Sequence, residues 1–181
     1  IAGFNINITE RVRAEEELKR SENALNRQNE LFTLLLKNLP VGVFMVEAPS
    51  GKPIMANDAA TRLLGRGILP DATPNNLAQV YDTYKVGSTG HYPVDEMPIY
   101  LGMHGISAHI DDMVVIRPDG SQTLLEIFGS PVTDNQGNIW ASLVSFTDIT
   151  ERKNAEVTLK NSQEQLKQFA AHLQNVREDE R

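Results

Sequence analysis

Apolar residues recur in alternating steps of four and three at both ends of this chain, and in steps of about two through its middle. At the C-terminal end the four–three rhythm runs through Ala155, Leu159, Ser162, Leu166, Phe169, Leu173 and Val176. At the N-terminal end it runs through Ala14, Leu18, Ser21, Leu25, Gln28, Phe32 and Leu35. Such a rhythm is the seam of a coiled coil. Neither stretch contains Pro or Gly in its interior. A helix with so thin a stripe cannot bury it alone, so each seam needs a partner. Docking on the chain's own domain is one answer. The preferred one is a homodimer of parallel helices, with Leu18, Leu25, Phe32, Leu159, Leu166, Phe169 and Leu173 as its seam. Ser21 and Gln28 weaken the N-terminal seam and can set its register.

Between the helices the pattern predicts short strands. Val41–Val46 reads as a buried strand, Pro49–Lys52 as a turn and Pro53–Ala56 as a second strand. Asn57 or Asp58 is placed to cap a short helix over Ala59–Leu64 that Gly65 ends. Residues 65–95 are rich in Gly, Pro, Asn and Thr and predict short helical stretches at most. A helix over Glu96–Met103 and three longer strands, roughly 109–117, 121–132 and 138–148, follow. Asp119–Gly120 marks a tight hairpin between the first two of these. The expected fold is α+β: a five-stranded antiparallel sheet with helices on one face, flanked by coiled-coil helices at both ends.

The ends are related. Ile8-Thr9-Glu10-Arg11 returns as Ile149-Thr150-Glu151-Arg152, and ten of the eighteen positions from Ile8 to Leu25 are identical at an offset of 141. The repeated unit reads as a strand end running into a helix, with Thr9 or Thr150 as its N-cap. Charge follows the same division. Residues 1–38 hold 6 basic and 6 acidic side chains, 150–181 also 6 and 6, and 39–149 hold 5 and 12, so the net charge of −7 belongs to the middle. An acidic domain without a basic stripe argues against nucleic acid as a partner. No apolar run approaches the roughly 18–20 residues of a membrane span, and no signal peptide is evident. The expectation is a cytoplasmic fragment without direct membrane contact, whose parent can be anchored elsewhere.

At the exit from the last strand the residues point to a family. Asp148-Ile149-Thr150-Glu151-Arg152 resembles the Asp-Ile-Thr motif that ends a PAS domain and feeds its signalling helix. Met55-Ala56-Asn57-Asp58-Ala59-Ala60 with Leu63-Leu64-Gly65 is similar to that family's second strand and first helix. Val115–Ser121 is similar to its strand–turn–strand, and Gly90–Pro98 to the stretch before its pocket helix. The resemblance implies the tail of a preceding PAS domain over 1–9 and a linker helix over 10–38. It implies a PAS domain over 39–149 and a signalling helix over 150–181. Leu166–Arg181 resembles the start of the dimerisation helix of nitrate-sensor/desaturase-sensor histidine kinases. That likeness implies a sensory and relay module of a two-component kinase, joined in one chain to an upstream PAS domain and a downstream kinase. A ligand-free dimerisation spacer, or input to another output such as a diguanylate cyclase, stays open. The chain stops before a His-Asp box, and His172, followed by Leu173, reads as an exposed helix residue.

Catalytic chemistry is poorly represented. Asp111-Asp112 and Asp95-Glu96 are neighbouring acids with no nucleophile or base beside them. Gly65-Arg66-Gly67 and Gly87–Gly90 lack the spacing and Lys of a phosphate loop. His91, His104 and His109 lack metal-ligand spacing. The chain has no Cys, which excludes a flavin bonded to Cys, and haem through His104 or non-covalent flavin is disfavoured. A small apolar or amphipathic ligand between sheet and helix is the stronger alternative to a fully packed core. Its candidate wall is Tyr100, Met103, Met113, Val115, Phe128 and Leu143. For coupling, the resemblance points to Asp148 and Thr150, with Arg117 as a candidate partner of Asp148.

Overall fold

The computed structural model describes residues 2–179, and side chains over 10–170. The chain divides into two compact units, residues 1–40 and 41–181. The first is a single helix, α1 (Ala2–Asn38), about 55 Å long at 1.5 Å per residue. Its seam residues Leu18, Leu25 and Phe32 are exposed. The strand end expected before Thr9 is helical instead. In a helix each backbone N–H and C=O of this segment is paired locally.

The second unit contains β1 (Gly42–Glu47), β2 (Pro53–Ala56), α2 (Asp58–Leu64), α3 (Leu77–Val80) and β3 (Thr83–Lys85). After a 3-10 turn at Val94–Glu96 come α4 (Pro98–Met103), β4 (Ala108–Ile116), β5 (Gln122–Thr133), β6 (Ile139–Asp148) and α5 (Thr150–Asp179). The sheet has six strands in the order β2-β1-β6-β5-β4-β3, and every pairing is antiparallel. That is one strand more than the pattern predicts. The addition, β3, is three residues long, too short to show a period of two. Its register is set by pairing Thr83, Tyr84 and Lys85 with Val115, Val114 and Met113.

Local chemistry explains most boundaries. Asn57 caps α2 by accepting the Ala60 N–H through Oδ1 at 2.8 Å, and Gly65 closes it at φ +67°, where a side chain would be strained. The same Asn57 also accepts from Val43 N–H and donates to Val41 O, tying α2 to the first strand. Asp119 Oδ1 accepts from Ser121 N–H and Oγ–H in the β4–β5 hairpin. Pro98 opens α4 at a position whose N–H would be unpaired anyway.

One face of the sheet is buried. Phe44 and Val46, Met113 and Val115, Leu125 and Ile127, and Val144 and Phe146 supply it from four strands. Helix α4 lies on β4, β5 and β6, and α2 on β1 and β6. The seat of α4 is made by two glycines: a Cβ on Gly102 would fall 2.2 Å from Ser142 Oγ, and one on Gly129 would fall 2.6 Å from the Pro98 carbonyl oxygen.

Candidate functional site

The buried face encloses a cavity of about 60 Å³. Its walls come from every layer: Phe44, Leu125, Ile127, Val144 and Phe146 from the central strands, Thr83 and Met113 from the far side, and Leu64, Leu77, Tyr81, Met97, Pro98 and Ile99 from the covering segments. Phe44 meets Tyr81 edge-on at 5.8 Å between ring centroids. The Tyr81 hydroxyl donates to Gly67 O at 3.1 Å. Burial pushes its phenol above the usual range, so it stays a neutral donor. The cavity is well below the ~150 Å³ of an apolar void that holds a benzene ring, and far below the ~300 Å³ at which drug-sized sites begin.

Of the six wall residues expected from the sequence, the structure places Met113 on the cavity. Met103 and Val115 are in the same core without lining the void. Tyr100 packs against that core from α4, its ring tilted on His104 at 4.4 Å. Phe128 and Leu143 are corrections, because they sit on the opposite face. They line a groove of about 360 Å³ with His109, Ser130 and Ser145, and Phe128 is 51% exposed. The signal that separates them was present. Successive strand residues alternate faces, and Glu126 and Ser145, each two residues away, mark the outer parity for Phe128 and Leu143.

The corner from β6 into α5 is hydrogen-bonded on three sides. Ile149 N–H donates to Leu124 O at 2.9 Å, Leu124 N–H donates to Thr150 Oγ1 at 3.0 Å, and Thr150 N–H donates to Asp148 Oδ1 at 2.9 Å. Thr150 is therefore not the N-cap. Its hydroxyl replaces the backbone acceptor that β5 loses where β6 ends, while Asp148 satisfies one of the helix's free N–H groups. Thr150→Val keeps the shape but strands the Leu124 N–H. It is expected to lower unfolding free energy by about 1–3 kcal/mol in urea titrations, whereas Thr150→Ser costs much less.

Arg117 is a second correction. Its Nε donates to Leu63 O at 3.0 Å and its guanidinium to Ser121 Oγ at 3.2 Å. It thus stands at the C-terminal end of α2, where a cation complements the helix dipole, and makes no ion pair with Asp148.

The cations nearest the corner are Arg152 and Lys153. Lys153 Nζ lies 2.6 Å from Asp111 Oδ2, and Arg152 lies 3.1 Å from Glu126 Oε2. His109 Nε2 approaches the other Glu126 oxygen at 3.2 Å, and its ring stacks on Phe128 at 4.2 Å. Lys153 holds the Asp111 carboxyl below the usual carboxylate range, and Arg152 does the same to Glu126. Sequence reasoning missed both pairs. The available hint was two cations in the first turn of a helix, where the dipole disfavours them unless acids stand opposite.

Asp111 and Asp112 occupy a β-bulge, a register shift between Ile110 and Met113. While Asp111 meets α5, Asp112 Oδ1 accepts from the buried Tyr92 hydroxyl at 2.8 Å, and Lys85 Nζ lies 3.8 Å from its other oxygen. Burial, reinforced by Asp112, drives the Tyr92 phenol far above its ordinary range. Among the described residues no group of His, Asp and Glu is disposed to hold a metal.

A family model for the PAS domain matches residues 40–151. The chain belongs to the PAS domain family. It is thus a sensory domain of signal transduction, and its α+β fold with six antiparallel strands is the PAS fold. Solved structures agree. The PAS domain of an HTR-like protein from Haloarcula marismortui superposes with a TM-score of 0.52 at 16% identity, over 72% of this chain and 99% of that one. An RNA-binding light-oxygen-voltage receptor superposes with a TM-score of 0.54 at 21% identity, over 80% of this chain and 38% of that one. These likenesses concern the fold. No curated protein matches this PAS chain, and none of its described helices is long and apolar enough to cross a membrane.

Proposed function

We propose that this PAS domain is the sensory and relay module of a cytoplasmic, homodimeric two-component sensor histidine kinase of the nitrate-sensor/desaturase-sensor type. Input reaches it from a preceding PAS domain through α1 or from a small apolar ligand in the core. Output leaves through α5 toward a kinase dimerisation helix. The observation that carries this reading is the corner at Asp148–Thr150. Leu124 on β5 is bonded to both Ile149 and Thr150, so a displacement of the sheet is passed to the first turn of α5. The seam residues Leu159, Leu166 and Phe169 are exposed, Leu166 at 70%, which supports a second copy as their cover. Leu173 lies outside the residues whose side chains are described. The kinase assignment rests on the sequence likeness of 166–181.

Asp148→Ala in the full-length protein is expected to abolish the response to stimulus. The folded domain remains, since losing one cap costs about 0.5–2 kcal/mol. An unchanged response overturns the relay. Sedimentation of the present chain is expected to show a dimer, and a monomer at high concentration would remove the parallel-helix arrangement.

The small cavity favours a second reading, a ligand-free dimerisation spacer. Deleting the domain in helical register then leaves regulation intact, whereas the relay reading requires regulation to be lost.

A further inference from the structure

The Asp111–Asp112 bulge is used by neither the core nor the corner, yet it is tied on both sides. A bulge puts two residues opposite one and re-aims their side chains. Here one acid faces Tyr92 and Lys85, in the segment that runs from β3 into the cavity-wall residues Met97, Pro98 and Ile99. The other faces Lys153, in the first turn of α5. We propose that this bulge is a coupling element: movement of the segment over the core shifts the bulge through Tyr92–Asp112 and redirects α5 through Asp111–Lys153. The proposal rests on the relay reading above and supplies it with a route separate from Asp148 and Thr150.

Three features make the α5 end of this route directional. Lys153 reaches β4 and Arg152 reaches Glu126 on β5, so with the backbone bond to Leu124 on β5 the helix start is held at three points on two strands. Glu126 is itself held by His109, whose ring is stacked on Phe128. The carboxylate is therefore oriented before Arg152 arrives, and a network of this kind is worth more than an isolated surface pair. Finally, Arg152 and Lys153 sit where the helix dipole repels cations. Releasing the acids leaves the first turn with unfavourable charges and a reason to move. Closed and open clamps then form two discrete arrangements, which coupling between distant groups requires.

The chain has no Cys, so Ser130→Cys and Lys160→Cys place two spin labels uniquely, on exposed positions of β5 and α5. Labelled chains diluted into an excess of unlabelled ones report the distance within one subunit. Lys160 stands about 15 Å along the axis from the start of α5, so a swing of about 20° moves it by about 5 Å. The unsubstituted pair is expected to give one narrow distance. Asp111→Asn is expected to broaden or shift it by that amount, and Asp111→Lys combined with Lys153→Asp to restore it.

The deciding variant is Tyr92→Phe, with Asp112→Ala as a second in case the first folds poorly. Each removes the hydrogen bond on the core side, and each is expected to move α5 as Asp111→Asn does. An unchanged distance in a folded Tyr92→Phe or Asp112→Ala protein overturns the bulge as the coupling element. That result leaves the relay standing if Asp148→Ala still uncouples signalling. If instead Tyr92→Phe moves α5 while Asp148→Ala leaves signalling unaltered, the bulge coupling stands and the relay through the corner falls.

Discussion

Replacing Phe146 by alanine is expected to lower the unfolding free energy by about 3–5 kcal/mol. The ring is on the buried face of β6, 3% exposed, and forms part of the cavity wall. It also lies against the backbone of β1, where a Cβ on Gly42 would fall 2.4 Å from it. Removing it takes away the apolar transfer energy and joins its own volume to a void that already exists, so little relaxation offsets the loss. Against a typical total of about 5–15 kcal/mol, such a change is a large part of the domain's stability. The matched control is Phe128→Ala on the outer face, expected near 0.5 kcal/mol because that ring already meets solvent. Urea titrations followed by circular dichroism compare the two. A larger loss from Phe128→Ala would mean that the faces of β5 and β6 are assigned the wrong way round, and equal losses that the ring of Phe128 is buried too.

The second large effect is expected from a single added methyl group. Gly129→Ala places a Cβ 2.6 Å from both the Cβ and the carbonyl oxygen of Pro98. Neither atom can rotate away, since one belongs to a fixed ring and the other to the backbone. Helix α4 must lift from β5, at a cost of about 1–3 kcal/mol or more. Gly67→Ala is the comparison: its nearest neighbour would be Thr61 Cγ2 at 4.0 Å, and the change should be neutral or slightly stabilising through the unfolded chain. Thermal unfolding of the two proteins tests this. A Gly129→Ala protein as stable as the parent would show that α4 does not seat directly on the sheet.

The difference between Phe128 and Phe146 also shows where sequence reading stopped short of the site. Both are aromatic residues in strands recognised from their alternation. Only the parity within each strand decides which one faces the core, and in β5 the polar marker Glu126 had to outweigh the bulk of Phe128. Arg117 misled for a different reason. A guanidinium can serve any nearby acceptor, and the acceptors it found, Leu63 O and Ser121 Oγ, belong to a helix end and a turn whose approach no local pattern reveals. Asp148 and Thr150 stand out in the sequence through the exit motif they belong to. The bond from Thr150 N–H to Asp148 Oδ1 is local, but that from Leu124 N–H to Thr150 Oγ1 depends on β5 lying beside the corner.

What the sequence by itself determined is everything that short spacing controls. The apolar period of two specified the long strands, Asn57 and Gly65 bounded α2, Asp119–Gly120 turned the hairpin, and the seven-residue seams specified the two long helices. Tertiary structure alone decided the third strand, the size of the cavity, the seat of α4 on Gly102 and Gly129, and the ion pairs of α5. Lys153 and Asp111 are 42 residues apart. Such a pair exists only after the sheet has set β4 and the end of β6 on either side of β5, since the free energy of a contact between distant segments belongs to their packing and not to either segment alone.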